Sequence, residues 1–410
     1  MSFLPTCANG DSGYKAYRLG THRAIPPAET LARLRPLLRE MGITRVANVT
    51  GLDRIGIPVI MVCRPNSRSI AVAQGKGLSL DAAKASGLME AIETWHAERI
   101  NRPLKLAGYN DLQDGHPLVH VDRLPPIAGS RYQPNLSMLW IEGFDLIANA
   151  PVWVPYEVVH ADFRLPQPTG SGCFPASTNG LASGNHRFEA ISHAICEVVE
   201  RDSTSLWHRL GRAGRDRTRV DLATIRDEAC CEVLGKLEHA GLAVGVWETT
   251  TDVAVAAFNC VILDEAVSHP GYGAGCHPTR EIALLRALTE AVQVRMTYIT
   301  GARDDLPREQ YTPSGLARKL RDARELMRRE PERDFREIPS RDFATFEDDV
   351  RWLLEQLQAV GVRQLVVVDL TRPELQLPVV RAVIPGLEGS DNSDDYVPGA
   401  RARAVREVAR

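Results

Sequence analysis

The sequence predicts a mixed α/β (α+β) fold, and three observations predict it. Runs rich in β-branched residues, such as "IPVIMVC" and "QLVVVDL", are typical of strands. Longer segments with apolar residues at helical spacing, such as "DAAKASGLMEAIETWHAERI", are typical of helices. The two kinds of segment mix along the 410 residues without a strict βα alternation. The order therefore predicts α/β or α+β and leaves the topology open.

In the first half of the chain, one helix and three strands precede a long helix. The first helix, "IPPAETLARLRPLLREMG", is marked by prolines at its start. The predicted strands are "TRVANVT", "IPVIMVC" and "SIAVAQGKG". Residues 101–185 are rich in proline and glycine, which indicates loops, with short strands at "SMLWIEGFDL" and "PVWVP".

The second half continues with alternating helices and strands. Helices are predicted at "EAISHAICEVVER", near residues 226–240, at "HPTREIALLRALTEAVQVRM" and at "FEDDVRWLLEQLQAVG". Strands are predicted at "LAVGVWETT", "AVAAFNCVIL", "QLVVVDL" and "LPVVRAVIPG". Residues 303–349 are dense in charge, which predicts exposed helices and turns. The final "ARARAVREVAR" predicts a solvated basic tail, with contact to an acidic leader or partner as the alternative.

Composition excludes several classes of protein. The chain is 44% hydrophobic and 25% charged, with a formal net charge of −3, so it predicts neither a nucleic-acid nor a membrane partner. No apolar run approaches the roughly 20 residues of a membrane span, and the start lacks the layout of a secretion signal, which predicts a cytoplasmic location. The eight cysteines lack the short paired spacing of a structural zinc site. Cys173 and Cys276 are candidate nucleophiles, although buried inert thiols are the commoner case.

Three of the predicted helices share one pattern of polar residues. Each places a polar side chain four residues before a glutamate and an oxygen-bearing side chain three residues after it: Ser86, Glu90 and Glu93; His193, Glu197 and Glu200; Arg286, Glu290 and Gln293. Spacings of four and three put the three groups on one face of a helix. A single acidic face of this kind is typical of a solvated amphipathic helix. Three such faces predict the walls of one site.

The chemistry of that site follows from the charges. Clustered carboxylates raise each other's pKa unless cations lie between them. Mg²⁺ suits oxygen ligands and commonly binds one or two carboxylates together with substrate phosphates. Lys76, Arg201 and Arg286 supply cations for the phosphates. The sequence contains neither a Walker motif nor a dinucleotide fingerprint. These residues therefore predict a nucleotide site built from helix faces; a carboxylate metal hydrolase is the alternative, in which these three cations would lack a purpose.

Three blocks resemble the YcaO family of ATP-dependent proteins that modify the peptide backbone. They are "GKGLSLDAAKASGLMEAIE", "STNGLASGNHRFEAISHAICEVVERD" and "HPTREIALLRALTEAVQVR" followed by "GARDD". The resemblance implies a YcaO-like fold with an ATP site lined by carboxylate-bearing helices. It also implies an N-terminal segment 1–43, a catalytic domain 44–386 and a C-terminal tail 387–410.

The resemblance also implies roles for individual residues. Those implied to bind the nucleotide are Lys76, Ser86, Asn185, Glu189, Arg201, Arg286 and Gln293. Those implied to bind Mg²⁺ are Glu90, Glu93, Glu197, Glu200 and Glu290. No catalytic residue beyond these is assigned.

The family's reaction, as the resemblance implies it, is activation of a backbone amide by O-phosphorylation. External sulfide as nucleophile yields a thioamide, whereas a neighbouring Cys, Ser or Thr side chain yields an azoline. The chain lacks the P-x-P-x-P tail common in azoline-forming members, and "ETLARLRPLLREMGITRVANVTGLDRIGIPV" resembles members that work with a TfuA partner. The implied partners are a precursor peptide or protein, a TfuA-like protein, a sulfide source and a second copy in a homodimer. Azoline formation and a non-catalytic ATP-binding accessory role stay open.

Three aromatic residues near the motifs have simpler expected roles. Trp95 lies on the apolar side of its helix, which predicts core packing. His277 opens a helix, which predicts a role in the turn. His193 shares the stripe with Glu197, so it faces either the nucleotide or a structural partner.

Overall fold

Helices and strands follow one another along the part of the chain that the computed structural model describes, residues 13–264, 269–303, 305–391 and 394–408. The helices are α1 Pro27–Leu34, α2 Leu80–Ala97, α3 Tyr109–Leu112, α4 Arg187–Arg209, α5 Arg212–Asp216, α6 Glu228–His239, α7 Arg280–Thr300, α8 Pro313–Leu326, α9 Phe346–Ala359 and α10 Ala400–Val408. The strands are β1 Arg45–Asn48, β2 Val59–Cys63, β3 Val72–Lys76, β4 Leu104–Ala107, β5 Met138–Asp145, β6 Ala150–Pro155, β7 Leu181–Ser183, β8 Val220–Asp221, β9 Leu242–Glu248, β10 Ala257–Asp264, β11 Gly271–Cys276, β12 Arg333–Asp334, β13 Val366–Asp369 and β14 Val379–Val383.

The described residues divide into two compact units. Unit 1 holds residues 13–15, 92–209, 343–391 and 394–408, and unit 2 holds residues 16–91 and 210–342 except for the gaps named above. The boundary falls inside α2, between Ala91 and Ile92. The division into segments 1–43, 44–386 and 387–410 concerns the family's catalytic domain and stays a prediction.

Unit 2 contains one arrangement twice: a helix, three antiparallel strands in sequence order, and a second helix. The first copy is α1, β1–β2–β3 and α2, whose residues from Ile92 onward belong to unit 1, and the second is α6, β9–β10–β11 and α7. In each copy a glycine with φ +69° lies between the first helix and the first strand, Gly42 and Gly241. Glycine adopts this left-handed conformation without a side-chain clash. Glu90 and Glu290 hold equivalent positions on the second helix of each copy.

The strand β11 packs on α7 at backbone distance. A Cβ added to Gly271, Gly273 or Gly275 would come within 2.1 Å of the carbonyl oxygen of Ala291, Ala287 or Ala283 respectively. Alternate residues of a strand face one side, and residues four apart in a helix share a face. The glycines of "GYGAGC" therefore fit against a row of alanines. The same close approach joins β3 to α2, where a Cβ on Gly75 would lie 2.1 Å from the nitrogen of Gly87.

Unit 1 has a six-stranded sheet, and part of it repeats this arrangement with its strands taken in a different chain order. Helix α9 ends near Gly361, which has φ +83°, and leads to β13 and β14; the third strand is β7, from earlier in the chain. Helix α4 follows β7 and packs over β7 and β14. The three helices α2, α4 and α7 thus occupy the same place in three copies of one arrangement, which explains why they share a pattern of polar residues.

The C-terminal segment is docked on α4 through Arg401 and Ala402, so the expectation of a solvated tail is wrong for these residues, whereas Ala400, Arg403 and Ala404 are exposed. Ala402 is 1% exposed. The Arg401 Nε donates to Oδ1 of Asp202 on α4 at 3.0 Å. The buried Glu388 carboxylate accepts hydrogen bonds from the hydroxyl of Tyr396 and the backbone N–H groups of Gly399 and Ala402. Because these carboxylates are buried and hydrogen-bonded, the helix is held in place.

The mixed α/β class is confirmed, and so are the helices and strands named from the sequence. Strands β4, β7, β8, β11 and β12 and helices α3, α5 and α10 were not predicted. In the charged region, α8 is largely exposed, as expected, but Phe335 and Ile338 are 2% and 1% exposed and belong to the core of unit 2. Across the described residues, no helix is long and apolar enough to cross a membrane.

Candidate functional site

The polar stripes predicted on α2 and α7 are visible in the pattern of burial; on α4 the stripe includes His193 and Glu197 but not Glu200, which is buried. Every residue of α2 from Ala85, of α4 from Phe188 to Asp202, and of α7 from Ile282 to Thr297 is buried, apart from one partly exposed strip per helix. The strips are Ser86, Glu90, Glu93 and Thr94 on α2; His193, Glu197 and Arg201 on α4; and Arg286, Glu290, Gln293 and Val294 on α7. Polar residues confined to the open strip of an otherwise buried helix favour a ligand-binding role over a solvated face.

In unit 2 the structure brings three predicted residues together: Lys76, at the end of β3, Glu90 and Glu290. The Lys76 Nζ pairs with Glu290 Oε2 at 2.5 Å, and both side chains are mostly buried. Burial raises the pKa of Glu90 to about 7, and the negative charge of Glu290 adds to this; Lys76, a backbone hydrogen bond from Gln74 and the guanidinium of Arg303 act in the opposite direction. The carboxyl group of Glu90 is therefore desolvated, and the nearby positive charge does not offset the cost of its ionisation.

The residue Gln74 ties β3 to α7. The backbone carbonyl of Gln74 accepts a hydrogen bond from Gln293 Nε2 at 3.4 Å, and its side-chain oxygen accepts one from Thr297 Oγ1 at 2.6 Å. These bonds hold the strand that carries Lys76 in register with the helix that carries Glu290. The predicted nucleotide residues Ser86 and Arg286 lie on the same strips, four residues before Glu90 and Glu290.

In unit 1 the remaining glutamate of α2 is held by β7. The carboxylate oxygen Oε1 of Glu93 accepts hydrogen bonds from the backbone N–H of Ser183 at 2.9 Å and from its hydroxyl at 2.7 Å. Two donors on one oxygen orient the carboxylate, and hydrogen bonds to a charged group are among the stronger ones in proteins. Ser183 therefore acts as a positioning residue for Glu93.

The residues predicted on α4 fall into two groups along the helix. At its start, the fully buried Glu189 accepts a hydrogen bond through Oε2 from the backbone N–H of Asn185 at 3.1 Å. Backbone N–H groups at the start of a helix have no acceptor within the helix, so side chains commonly accept from them. About 12 Å further along the axis, at 1.5 Å per residue, lies Glu197. The carboxylate of Glu200, 4% exposed, has Oε1 3.5 Å from an Arg201 guanidinium nitrogen.

The solvated acidic face considered for α4 is wrong. Glu189 and Glu200 are 0% and 3% exposed, because α4 is covered by β7, β14, α9 and α10. A carboxylate is rarely buried unless it is paired or binds a ligand.

Sequence reasoning missed three functional candidates. Arg303 lies close enough to affect Glu90, and Ser183 holds Glu93. Arg381, on β14, is 3% exposed and lies near Glu197, whose charge acts against the lowering of the Arg381 pKa by burial. An arginine in the apolar run "LPVVRAVIPG" was the available sequence signal for this third residue.

The residues that the sequence singled out individually have surroundings that indicate structural rather than catalytic roles. Trp95 is 5% exposed, which confirms the packing role. The ring nitrogen Nδ1 of His277 accepts the backbone N–H of Thr279 at 2.9 Å, which confirms its role in the turn. Burial, and then the charge of Glu157, raises the pKa of the Cys173 thiol to about 11, and Cys276 is 1% exposed. Neither thiol has the surroundings of an activated nucleophile.

The donor set fits Mg²⁺. The carboxylates of Glu90 and Glu290 are hard oxygen ligands, and the ammonium of Lys76 already lies where positive charge is needed. Among the described residues, no three His, Cys, Asp or Glu side chains converge as a ready metal-ligand set. Mg²⁺ commonly takes only one or two protein carboxylates and completes its coordination with phosphate oxygens and water. A site that offers one or two glutamates, such as Glu90 and Glu290, is therefore sufficient.

Comparison with known proteins identifies the family. A family model described as YcaO cyclodehydratase, ATP- and Mg²⁺-binding, matches residues 74–388. An uncharacterized protein in the tfuA 3′ region of Rhizobium leguminosarum bv. trifolii is 36% identical over 395 residues, which cover 93% of this chain and 92% of the relative.

Solved structures of similar fold support the same family assignment. The structure of YcaO from Methanopyrus kandleri bound with AMPPCP and Mg²⁺ has a TM-score of 0.74 at 26% identity, and the match covers 94% of this chain and 100% of that one. A heterocyclase in complex with substrate and cofactor has a TM-score of 0.76 at 22% identity, which shows the fold; the match covers 92% of this chain and 54% of the heterocyclase chain, so this chain spans about half of that length. Because the family model matches well over half of its residues, this chain belongs to the YcaO family of ATP- and Mg²⁺-binding proteins.

Proposed function

We propose that this protein uses ATP and Mg²⁺ to activate a backbone amide of a ribosomally made peptide or protein, with sulfide as the nucleophile and a thioamide as the product. Sulfide adds to the amide carbon, and the resulting oxyanion takes the γ-phosphoryl group of ATP, which releases ADP. Loss of that oxygen as inorganic phosphate leaves a carbon–sulfur double bond. One oxygen of the peptide is thus replaced by one sulfur, and one ATP is consumed.

The observation that carries the proposal is the cluster of Lys76, Glu90 and Glu290. A mostly buried lysine paired with one glutamate, beside a second glutamate whose pKa is raised to about 7, describes carboxylates with too little positive charge around them. A divalent cation relieves that imbalance, and the ammonium of Lys76 would then be released to a phosphate group.

The remaining residues are assigned as the resemblance implies; most of them lie on the open strips, whereas Asn185 precedes α4 and Glu189 and Glu200 are buried. Glu93, Glu197 and Glu200 would join Glu90 and Glu290 in holding Mg²⁺. Ser86, Asn185, Arg201, Arg286 and Gln293 would contact the nucleotide. Glu189 is proposed for the nucleotide site as well, and its hydrogen bond to Asn185 would orient that residue. Catalysis in phosphoryl transfer is largely positioning and charge stabilisation, which suits a site without a nucleophilic side chain.

The thioamide branch is favoured by the relative in the tfuA 3′ region, which matches over nearly the whole of both chains. We infer a TfuA-like partner protein that takes part in sulfide delivery, and a homodimer as the working form. Azoline formation is the second candidate, because the family model itself is described as a cyclodehydratase.

The test of nucleotide binding is calorimetry with Mg²⁺ and AMPPCP. Lys76→Met and Glu290→Gln should each weaken binding about tenfold to a hundredfold, since a hydrogen bond to a charged group contributes roughly 1.5–3 kcal/mol. Glu309→Gln is the matched control, because Glu309 is 66% exposed and pairs only with a surface arginine, Arg318, in the contacts described. Equal binding by all four proteins would contradict the assignment.

The test of the reaction is mass spectrometry of the candidate peptide encoded nearby, co-expressed with this protein with and without a TfuA-like partner. Exchange of one oxygen for one sulfur, dependent on the partner and lost in Glu197→Gln, is the expected result. Loss of one water would move the protein to azoline formation. An unmodified peptide, with ATP bound and not turned over, would favour an accessory role.

A further inference from the structure

The sheet of β1, β2 and β3 in unit 2 has a free edge. Strand β1 pairs with β2 along one side, and no other strand pairs with it in the described part of the chain. Just after β1, the backbone N–H of Val49 donates to the carbonyl oxygen of Val59 on β2 at 3.1 Å. Because backbone groups alternate in direction along an antiparallel strand, those of Ala47 also point to β2. Those of Val46 and Asn48 point to the open side.

The side chains along this edge are open to solvent as well. Arg45, Val46 and Asn48 are exposed, and the exposed fraction of Val46 is 38%. A free edge presents a row of N–H and C=O groups that can pair with another strand, so folded proteins cover such edges or place charge on them. The open side of β1 therefore offers a place for an extended polypeptide segment.

The equivalent edge is covered in the other two copies of the arrangement. In the second copy, the backbone N–H of Glu248 on β9 donates to the carbonyl oxygen of Thr218 at 2.8 Å, and Trp247 pairs with Arg219. In unit 1, β13 pairs with β14 on one side and with β5 on the other. In both copies a segment of the chain thus lies along the outer edge of the first strand. The first copy has the same edge without such a segment among the described residues.

The charge beside the edge indicates which kind of segment it suits. Four exposed arginines lie on α1, on the turn after it and on β1: Arg33, Arg35, Arg39 and Arg45. None of the four forms an ion pair with a described residue. Residues 27–48 contain two acidic residues, Glu29 and Glu40, so four positive charges face two negative ones in a chain whose net charge is −3. Arg39 lies in the turn that leads into β1, where its carbonyl oxygen accepts the N–H of Gly42 at 3.1 Å. This local excess of positive charge favours an acidic partner.

We propose that an acidic, extended segment of the peptide substrate adds to the open edge of β1 as a further strand. Its backbone bonds to Val46 and Asn48, and its carboxylates lie beside Arg39 and Arg45. In strand addition, main-chain hydrogen bonds give affinity and side chains give specificity. A nucleic acid would suit the arginines but has no backbone amides for the edge. The inference deepens the proposed function and rests on it for the identity of the substrate.

The position of the edge relative to Lys76 supports a substrate as the occupant. Lys76 on β3 lies opposite Val59 on β2, and the carbonyl oxygen of Val59 accepts the N–H of Val49, at the end of β1. An added strand would lie three strand spacings from β3, roughly 14 Å. About five extended residues, at roughly 3.3 Å each, cover that distance. A peptide held at the edge of β1 therefore needs only a short further stretch to bring a backbone amide to the proposed Mg²⁺ site.

The test compares two synthetic peptides by hydrogen–deuterium exchange of the full chain at low salt. The first is acetyl-Val-Glu-Val-Glu-Val-Glu amide, and the second is the same peptide with its backbone nitrogens methylated. The first should slow exchange in residues 44–49, because the outward N–H groups of Val46 and Asn48 become bonded. The methylated peptide has the same charge and no N–H to donate, so it should bind at least about tenfold more weakly. A peptide with lysine in place of glutamate should not protect these residues.

Two variants separate the backbone contribution from the charge. Val46→Pro removes an N–H that points away from β2, in an edge strand where proline is tolerated, and it should weaken the acidic peptide about tenfold. Arg39→Gln combined with Arg45→Gln should weaken it about threefold to tenfold at low salt and much less at high salt. Arg351→Gln is the matched control, because Arg351 is exposed and pairs with glutamate and aspartate on its own helix, α9; it should bind the peptide as the wild type does. If Val46→Pro does not fold, the comparison of the two peptides on the wild type decides.

Four results would overturn the inference. The first is the absence of protection by the acidic peptide, and the second is equal binding of the methylated peptide, which would show that the arginines attract any anion. The third is protection of residues 44–49 that rises with protein concentration alone, which would assign the edge to a second copy of the chain. The fourth is protection by a TfuA-like protein in place of the peptide, which would assign the edge to that partner.

Calorimetry with Mg²⁺ and AMPPCP on the same samples separates this inference from the proposed function. Nucleotide binding without protection by the acidic peptide overturns the strand site and leaves the proposed function standing. Protection that depends on the N–H groups of the peptide, in a protein that does not bind the nucleotide, supports the strand site and contradicts the proposed function.

Discussion

Replacing Arg295 by methionine should strongly destabilise unit 2. Arg295 lies on α7 with a side chain 7% exposed; its Nε pairs with Asp53 Oδ2 at 2.5 Å and its Nη2 with Asp264 Oδ2 at 3.2 Å. Asp264 keeps a second partner in Arg54, at 3.1 Å. Asp53, 2% exposed, keeps a backbone hydrogen bond from Ile55. The change therefore leaves Asp53 as a buried carboxylate that has lost its cation.

The size of the effect follows from that geometry. Removing one partner of a buried ion pair costs about 3–5 kcal/mol. For a unit of roughly 200 residues, 1 kcal/mol shifts Tm by about 2–4 °C, so Arg295→Met should lower Tm by roughly 6–20 °C. Adding Asp53→Asn to Arg295→Met should restore at least about 1 kcal/mol of the lost free energy of unfolding. The asparagine side chain carries no charge, and its oxygen still accepts the backbone N–H of Ile55.

The assay is thermal and urea unfolding of the four proteins of this double-mutant cycle. Arg318→Met is the control: Arg318 is 57% exposed and its pair with Glu309 lies at the surface, where ion pairs contribute at most about 1 kcal/mol. A loss of stability in Arg295→Met no larger than in this control, or no recovery in the double variant, would refute the reasoning.

Three further predictions concern packing, the Mg²⁺ site and pH. Gly273→Ala should lower the free energy of unfolding in urea by about 1–3 kcal/mol, since its Cβ would lie 2.1 Å from the carbonyl oxygen of Ala287. The control Gly235→Ala, whose Cβ would have nothing within 4 Å, should not lower it. Equal effects of the two changes would contradict the close packing of β11 on α7. Ser183→Ala should raise the Mg²⁺ concentration needed for nucleotide binding about tenfold, because one of two bonds that orient Glu93 is lost; an unchanged requirement would count against Glu93 as a ligand. His96, 1% exposed, has its pKa lowered to about 4 by burial, so the unfolded chain binds the proton more readily. The free energy of unfolding above pH 6.5 should therefore fall by about 2 kcal/mol at pH 5, which is measured as Tm against pH. In His96→Gln, Tm should depend less on pH. If the variant's profile is identical to that of the wild type, His96 is not the cause of the pH dependence.

Much of this protein could be predicted from local sequence patterns. The periodicities of α2, α4 and α7 identified the helices and their polar strips, since the spacing of side chains around a helix is a property of the helix alone. The same spacing singled out Glu90 and Glu290, which the structure brings to Lys76. These features could be predicted without knowing which segments of the chain pack against each helix.

What depended on neighbours distant in sequence was decided by the tertiary structure alone. "GYGAGC" has the composition of a loop and forms a strand because its glycines let the backbone approach the alanines of α7. The basic C-terminal stretch has the composition of a solvated tail and docks because Asp202 and Glu388 are buried beneath it. Arg381 became a candidate only when β14 placed it, buried, near Glu197 of α4. In each case the deciding quantity is desolvation or close packing, which arises between segments distant in sequence and leaves no periodic trace in either.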